Sequence, residues 1–226
     1  DEGGEDNAMI TLYGIAVSSY VAKVRLALRL KGLTFTEIAP PGGYGSAAYR
    51  AIVAAGSVPA IVHDGFALHE SEAILEYLED VFPDPPLHPR DLRARAWHRA
   101  IALYHDTKLE PAVRAMFPHV AKPPDAATLN GLAEAWRDRL ERLAELVDPA
   151  PFLGGASIAL GECGYPTTLM MGSRLIEALG APVAPPDRIA RWFAAFEAHP
   201  VAAPNTALCR EALERWIDEK RATPSA

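Results

Sequence analysis

A proline-rich segment from Phe82 to Pro89 divides the 226-residue chain into two parts of different character. Proline removes a backbone donor and disfavours helix at the residue before it, so the segment predicts a linker. We place the linker at residues 83–90, between an N-terminal domain at 9–82 and a C-terminal domain at 91–222. Half of the residues are apolar, which is enough for a sizeable buried core.

The N-terminal part alternates between short strand patterns and helical patterns. In the first predicted helix, Val21, Val24 and Leu28 follow one another at spacings of three and four, which places them on one helix face. The order strand, helix, strand, helix, strand, strand, helix predicts a small α/β fold with helices against one sheet. The predicted strands are residues 9–13, 34–38, 60–63 and 66–68, and the predicted helices are residues 21–30, 47–53 and 71–81.

The C-terminal part contains no convincing strand pattern, and we expect it to be all-helical. Apolar residues recur there at helical spacing, as at Leu129, Leu132, Trp136, Leu140 and Leu143. The predicted helices are residues 91–116, 126–147, 161–179, 186–197 and 206–219.

Charge and hydropathy exclude two broad classes of partner. The chain has 22 Lys and Arg against 29 Asp and Glu, and its basic residues are scattered among acidic ones, so we expect no nucleic-acid binding. No apolar run approaches the roughly 20 residues that span a bilayer, so we expect no membrane association and a cytoplasmic location.

The two cysteines, Cys163 and Cys209, are too far apart for a redox pair and too few for a metal cluster. We interpret both as reduced packing residues and expect no metal.

Residues 1–8 are acidic and rich in glycine, which predicts a disordered leader or a tag remnant.

Three short segments carry the groups that a small thiol peptide would need. Ser18 and Ser19 stand where a strand has ended and a helix begins, so a hydroxyl there can donate to a sulfur atom while the helix N-terminus favours negative charge. Val58-Pro59 presents an extended backbone, and Glu70-Ser71 opens another helix. Taken alone, the serines are better explained as helix caps and Pro59 as an ordinary trans proline in a loop.

Together these segments resemble the glutathione S-transferase family, in particular its bacterial, serine-type, zeta-like and theta-like branches, and the similarity runs along most of the chain. In those branches the catalytic serine lies seven residues before the arginine of a short basic helix motif. Here Lys23-Val24-Arg25 provides that motif, and the count leads to Ser18, with Ser19 as the alternative. The resemblance implies a thioredoxin-like α/β domain followed by an all-helical domain.

The resemblance also assigns roles in binding glutathione. Val58-Pro59 corresponds to the family's cis-proline turn, whose backbone pairs with the cysteine of glutathione. Glu70 and Ser71 correspond to the pair that holds the γ-glutamyl end. Ser57 is a further predicted glutathione-binding residue, but it stands where the family often has Lys or Gln, so the glycine carboxylate of glutathione is expected to be held weakly or by another group.

For the second substrate the resemblance implies a pocket lined partly by the first helix of the helical domain. Tyr104 and Lys108 are our candidates there, and their spacing from Arg114 predicts that the three side chains lie along one helical face. A solvated or salt-bridged role is the alternative for each. His105 lies next to Asp106, but adjacent residues on a helix are expected to point apart.

Two other segments depart from the family pattern or lie beside the site. Ala159, at the start of the Ala159-Leu160-Gly161-Glu162 segment, cannot cap its helix with a side chain, although Ser157 could shift the start. The loop from Pro40 to Gly45 could flank the site and make Tyr44 a contact, or it could be a plain surface loop.

The function that the resemblance implies is a glutathione transferase, with glutathione as cosubstrate and a small hydrophobic electrophile as second substrate. The family also implies a homodimer. The alternatives are a glutathione-dependent isomerase or dehalogenase of the same fold, and a non-catalytic protein that binds glutathione or a hydrophobic ligand.

Overall fold

A computed structural model describes residues 9–222 of the chain. The predicted leader or tag remnant at residues 1–8 lies outside the described residues. The chain divides into two compact units between Pro86 and Leu87, inside the segment predicted as the linker.

The first unit is a four-stranded mixed sheet with three helices, which confirms the predicted thioredoxin-like α/β fold. The strand order is β2, β1, β3, β4, where β1 is parallel to β2 and antiparallel to β3, and β3 is antiparallel to β4. The elements are β1 (Ile10–Tyr13), α1 (Ser19–Leu30), β2 (Phe35–Ile38), α2 (Ala47–Arg50), β3 (Ala60–His63), β4 (Phe66–His69) and α3 (Ser71–Val81).

Helix α1 is almost entirely enclosed, because it packs within the unit against α3. Its apolar residues at helical spacing, Val21, Val24 and Leu28, are fully buried, as the periodicity predicted. The helix ends at Leu30, and Gly32, with a positive φ of 66°, allows the chain to turn back toward β2.

Most elements of the first unit lie close to the predicted bounds. The predictions for β3 and α3 match the observed residues, whereas α1 begins at Ser19, two residues before the predicted start. Helix α2 ends at Arg50 and not at residue 53, because the following chain turns so that Gly56 N donates to Val53 O.

A buried lysine fixes the end of the first unit. The Nζ atom of Lys31 lies 2.7 Å from Phe82 O, 3.1 Å from Pro85 O and 2.5 Å from a carboxylate oxygen of Glu79. The ammonium is thus surrounded by oxygen acceptors, as a buried charge requires. The proline-rich segment is therefore anchored to α1 and α3 up to Pro85.

The second unit is helical, as predicted. The predicted helix at 91–116 is wrong as a single α-helix, since a π-helical segment, His105–Leu109, interrupts it and widens the turn. A short 3-10 turn, Leu160–Glu162, precedes α8. The α-helices are α4 (Leu92–Tyr104), α5 (Glu110–Arg114), α6 (Pro118–Ala121), α7 (Ala126–Leu146), α8 (Tyr165–Ala178), α9 (Asp187–Ala198) and α10 (Ala202–Ala222).

The core of the second unit is built on large aromatic side chains. Trp136 of α7 and Trp192 of α9 are almost fully buried, and Trp192 packs on Tyr165 with 4.8 Å between ring centroids. Gly172 of α8 makes room for Trp136, because a Cβ atom there would lie 2.3 Å from the indole ring.

None of the helices within residues 9–222 combines the length and hydropathy that a membrane crossing requires.

Candidate functional site

The register of the sheet brings the three predicted segments to one end of it. Ala60 pairs with Tyr13 on one side and with His69 on the other. Tyr13 is the last residue of β1 before the chain leads to Ser18, and His69 is the last residue of β4 before Glu70. Pro59 directly precedes Ala60, so the chain ends that lead to the predicted site residues lie side by side.

Ser18 is the N-cap of α1. Its backbone is extended, with φ −84° and ψ 119°, and its Oγ accepts a hydrogen bond from the backbone N of Val21 at 3.3 Å. Because Oγ uses a lone pair in this bond, its own hydrogen remains available for donation. Ser18 retains 5% exposure, whereas Ser19 is fully buried in the first turn.

The basic helix motif that led to Ser18 has a structural role in this unit. Lys23 is 1% exposed, and its Nζ lies 2.7 Å from Oε2 of Glu72, the residue after Ser71. Arg25 forms a two-pronged pair with Glu37 of β2, with both N–O distances at 2.6 Å. The motif thereby joins the Ser18 helix to the start of α3 and to the sheet.

The turn before β3 contains the cis peptide bond that the resemblance implied, between Val58 and Pro59. A residue that the sequence analysis missed holds this turn: the hydroxyl of Tyr49, in α2, donates to Ser57 O at 2.9 Å. Tyr49 is fully buried, and its ring packs on Tyr13 with 5.3 Å between centroids. The local pattern gives no signal for this bond, since it crosses the turn between α2 and β3.

The glycine-rich loop before α2 is tied to the same turn. Gly45 N donates to Gly56 O at 2.7 Å, and Ser46, the N-cap of α2, donates its hydroxyl to Pro41 O at 2.6 Å. Tyr44, the predicted possible contact, is 66% exposed at the tip of this loop. The loop therefore adjoins the segment that contains Ser57 and Val58.

Glu70 and Ser71 form an unusual helix start. Glu70 has φ 68° and ψ 116°, a conformation that costs a non-glycine residue of the order of 1–3 kcal/mol, and its side chain makes no capping hydrogen bond. Ser71 is 6% exposed at the first position of α3. The first N–H groups of α3 are thus available to an external acceptor, and the exposed Glu70 carboxylate stands beside them.

The two candidates in the helical unit occupy different environments. The Tyr104 hydroxyl donates to Arg139 O of α7 at 2.8 Å, while Lys108 is exposed in the π-helical segment. Arg114 is not in line with them, because the π-helical segment shifts the helix phase and Arg114 instead pairs with Glu110 at 3.0 Å. The helical face predicted for the three residues is therefore interrupted before Arg114.

The expectation that His105 and Asp106 point apart is wrong. Nδ1 of His105 lies 2.7 Å from Oδ1 of Asp106, and Nε2 lies 2.7 Å from the Thr168 hydroxyl. The His105 ring is 1% exposed and packs edge-on against Tyr165. These contacts stabilise the junction of the π-helical segment with α8.

Ala159 provides no side-chain cap, as expected. In the second bond of a capping box, the side chain of the third helical residue accepts from the backbone N–H of the cap residue, and Glu162 makes this bond with Ala159. Its carboxylate accepts from the backbone N atoms of Ala159, Leu153 and Gly154 and from Nε1 of Trp192, at 2.7, 2.8, 3.2 and 2.9 Å. Burial raises the pKa of Glu162 to about 7, against the effect of these four donors.

Among residues 9–222, no group of three or more His, Cys, Asp or Glu side chains is placed to hold a metal ion.

The fold matches that of solved glutathione transferases. The theta class glutathione S-transferase from Xanthomonas axonopodis pv. citri, solved with glutathione bound, aligns with a TM-score of 0.72 over 88% of this chain and 97% of that one, at 24% identity. The fold and the grouping of the three segments thus define the class: a thioredoxin-like unit followed by a helical unit.

The sequence comparisons give the family. Residues 12–86 match the glutathione S-transferase N-terminal domain. The probable glutathione S-transferase BZ2 of Zea mays is 32% identical over 216 residues, which cover 84% of this chain and 86% of that protein. Glutathione S-transferase Z1 of Arabidopsis thaliana is 39% identical over 90 residues, but this stretch spans only 38% of this chain and 41% of that relative. The chain belongs to the glutathione S-transferase family.

Proposed function

We propose that the protein is a glutathione transferase that binds glutathione at one end of its sheet and uses the thiolate to attack a small hydrophobic electrophile. The observation that carries the proposal is the pairing of Ala60 with both Tyr13 and His69, which brings the Ser18, Val58 and Ser71 segments together. No single one of these segments would distinguish a binding site from a helix cap.

The extended backbone at Val58 would pair with the backbone of the glutathione cysteine as an added strand does. The γ-glutamyl carboxylate would accept hydrogen bonds from Ser71 and the first N–H groups of α3, where no side chain of this helix caps them. The Glu70 carboxylate would meet the ammonium group. This arrangement would fix the cysteine sulfur near the start of α1.

Ser18 would then stabilise the thiolate. A thiol with the ordinary pKa of about 8.5 is mostly protonated at neutral pH, and each unit of lowering requires about 1.4 kcal/mol of preference for the thiolate. The Ser18 hydroxyl can donate its hydrogen to the sulfur while Oγ accepts from Val21 N. The thiol proton leaves to solvent, and the N-terminus of α1 adds to the stabilisation.

The test is the pKa of the bound thiol, read from thiolate absorbance during a pH titration of the glutathione complex. We expect a value well below 8.5 for the unaltered protein, and a rise of about one unit for Ser18→Ala, because one hydrogen bond to the thiolate is lost. Ser18→Thr keeps a hydroxyl and should keep most of the effect.

A matched control separates this role from simple capping. Asp125 caps α7 in the same way, by accepting from Thr128 N at 2.7 Å, so Asp125→Ala should lower stability and leave the thiol pKa unchanged. If Ser18→Ala behaves like Asp125→Ala, Ser18 is only a cap. Binding of glutathione with an ordinary thiol pKa would instead indicate the non-catalytic binding protein.

The nature of the second substrate stays a prediction. Tyr104 and Lys108 remain our candidates for contacts to it, and turnover assays with conjugation, isomerisation and dehalogenation substrates would separate the transferase from the isomerase and dehalogenase alternatives. A homodimer and a cytoplasmic location likewise stay predictions, and sedimentation of the purified protein tests the first of these.

A further inference from the structure

Among residues 9–86, Arg50 is the one exposed Lys or Arg side chain, and it is thus a candidate to receive a carboxylate. Residues 9–86 include five Lys and Arg residues, of which three are buried in ion pairs: Lys23 with Glu72, Arg25 with Glu37 and Lys31 with Glu79. Arg29 is half-buried, and burial lowers its pKa. Arg50, the last residue of α2, is exposed, and its side chain has no ion pair or hydrogen bond to the described residues.

The side chain of Arg50 lies along Gly56. A Cβ atom at Gly56 would be 3.0 Å from both Cγ and Nε of Arg50, so the arginine occupies the space that a side chain at position 56 would take. Gly56 also has φ 67°, a conformation that favours glycine. The Arg50 side chain, at the end of α2, therefore lies against Gly56, which is two residues before Val58.

The direction of the bound peptide follows from the strand register. Ala60 pairs with His69, so the start of α3 at Ser71 lies beside the Pro59 end of the segment from Gly56 to Pro59. With its γ-glutamyl end at Ser71 and its cysteine opposite Val58, glutathione directs its glycine end toward Gly56. One residue of extended chain spans about 3.4 Å, so the glycine carboxylate is expected beside Gly56, where the Arg50 side chain lies.

We infer that Arg50 binds the glycine carboxylate of glutathione and replaces the Lys or Gln that is absent at Ser57. This inference rests on the proposed function. A guanidinium suits this task because it forms two parallel hydrogen bonds with a carboxylate. Arg50 is then a determinant of specificity, since it distinguishes glutathione from thiol peptides that lack a charge at this end.

The test compares calorimetric binding of glutathione with binding of its glycine monoethyl ester, in which that carboxylate is neutral. The unaltered protein should bind glutathione about fivefold or more tightly than the ester, as expected for a partly solvated charged pair. Arg50→Gln should bind the two ligands equally, through loss of affinity for glutathione alone. Arg50→Lys should retain part of the preference.

Arg137→Gln is the matched control, because Arg137 is an exposed arginine on α7 of the helical unit and should leave the preference unchanged. Equal binding of both ligands by the unaltered protein would overturn the inference, and so would Arg50→Gln retaining the full preference. Both of these results leave the proposed function intact. Failure of the unaltered protein to bind glutathione at all would refute the proposed function and the inference with it.

Discussion

The hydroxyl of Tyr49 donates a hydrogen bond to the carbonyl oxygen of Ser57, with 2.9 Å between the two oxygen atoms. The bond fixes the backbone one residue before Val58, the residue whose backbone we propose to pair with glutathione. Burial, with a smaller contribution from Tyr13, raises the pKa of Tyr49 to about 12, so the hydroxyl keeps its hydrogen at neutral pH. Tyr49 is thus a positioning residue of the candidate site.

Tyr49→Phe should weaken glutathione binding more than it affects the chemical step. Without the hydroxyl, the Ser57 carbonyl loses its partner, at a cost of about 1 kcal/mol in unfolding free energy. The turn then becomes less ordered, so KM for glutathione should rise severalfold while kcat changes little. Denaturant unfolding and steady-state kinetics measure the two effects.

Tyr77→Phe is the control for this experiment, because the Tyr77 hydroxyl lies 2.8 Å from Nδ1 of His63, at the opposite end of β3 from Pro59. It should lower stability in the same way and leave KM unchanged. A loss of stability in Tyr49→Phe without any change in KM would mean that the bond supports the fold alone.

The ion pair between Lys23 and Glu72 should stabilise the first unit and align its two helix starts. Lys23→Met leaves the partly buried Glu72 carboxylate without this partner and should cost about 3 kcal/mol of unfolding free energy. The double variant Lys23→Met with Glu72→Leu should recover a large part of the loss, since it removes both charges. Thermal or urea unfolding of the four proteins completes the cycle.

Affinity for glutathione provides a second readout of the same cycle. Since Glu72 follows Ser71, Lys23→Met should also weaken binding. Additive losses in the double variant would contradict a direct interaction between the two side chains.

Glu162 should make stability depend on pH. The pKa of this carboxyl is raised from an ordinary value of 4.5 to about 7 in the folded protein, so the folded state holds a proton that the unfolded state releases between these values. Its contribution to stability is therefore complete below about pH 4.5 and falls by about 3 kcal/mol as pH rises through 7.

Glu162→Gln cannot ionise and should lack this slope. The quantity to measure is the difference in unfolding free energy between the unaltered protein and Glu162→Gln from pH 4.5 to 8, which should decline as pH rises. Glu134→Gln, at an exposed position on α7, should show no such trend. A constant difference across this range would mean that the four N–H donors keep Glu162 ionised throughout.

Local sequence patterns predicted the elements that depend on neighbours in the chain. The bounds of β3 and α3 matched because apolar periodicity ends there at clear turn residues, and Ser18 was recognisable because a cap acts on the next three residues. The π-helical segment at His105–Leu109 was missed, since nothing in its local sequence pattern distinguishes it from a turn of α-helix. One contact that stabilises this segment is the hydrogen bond between His105 and Thr168, which lies 63 positions further along the chain.

The sequence by itself determined the two-part organisation, the thioredoxin-like order of elements and the identity of Ser18, Val58-Pro59 and Ser71 as candidates. Only the tertiary structure decided that Tyr49 holds Ser57, that Lys23 reaches Glu72, and that Arg50 occupies the space above Gly56. The physical reason is the distance along the sequence between the residues that interact. Periodicity and capping involve residues a few positions apart, whereas these contacts exist only after separate elements have packed and their side chains have met.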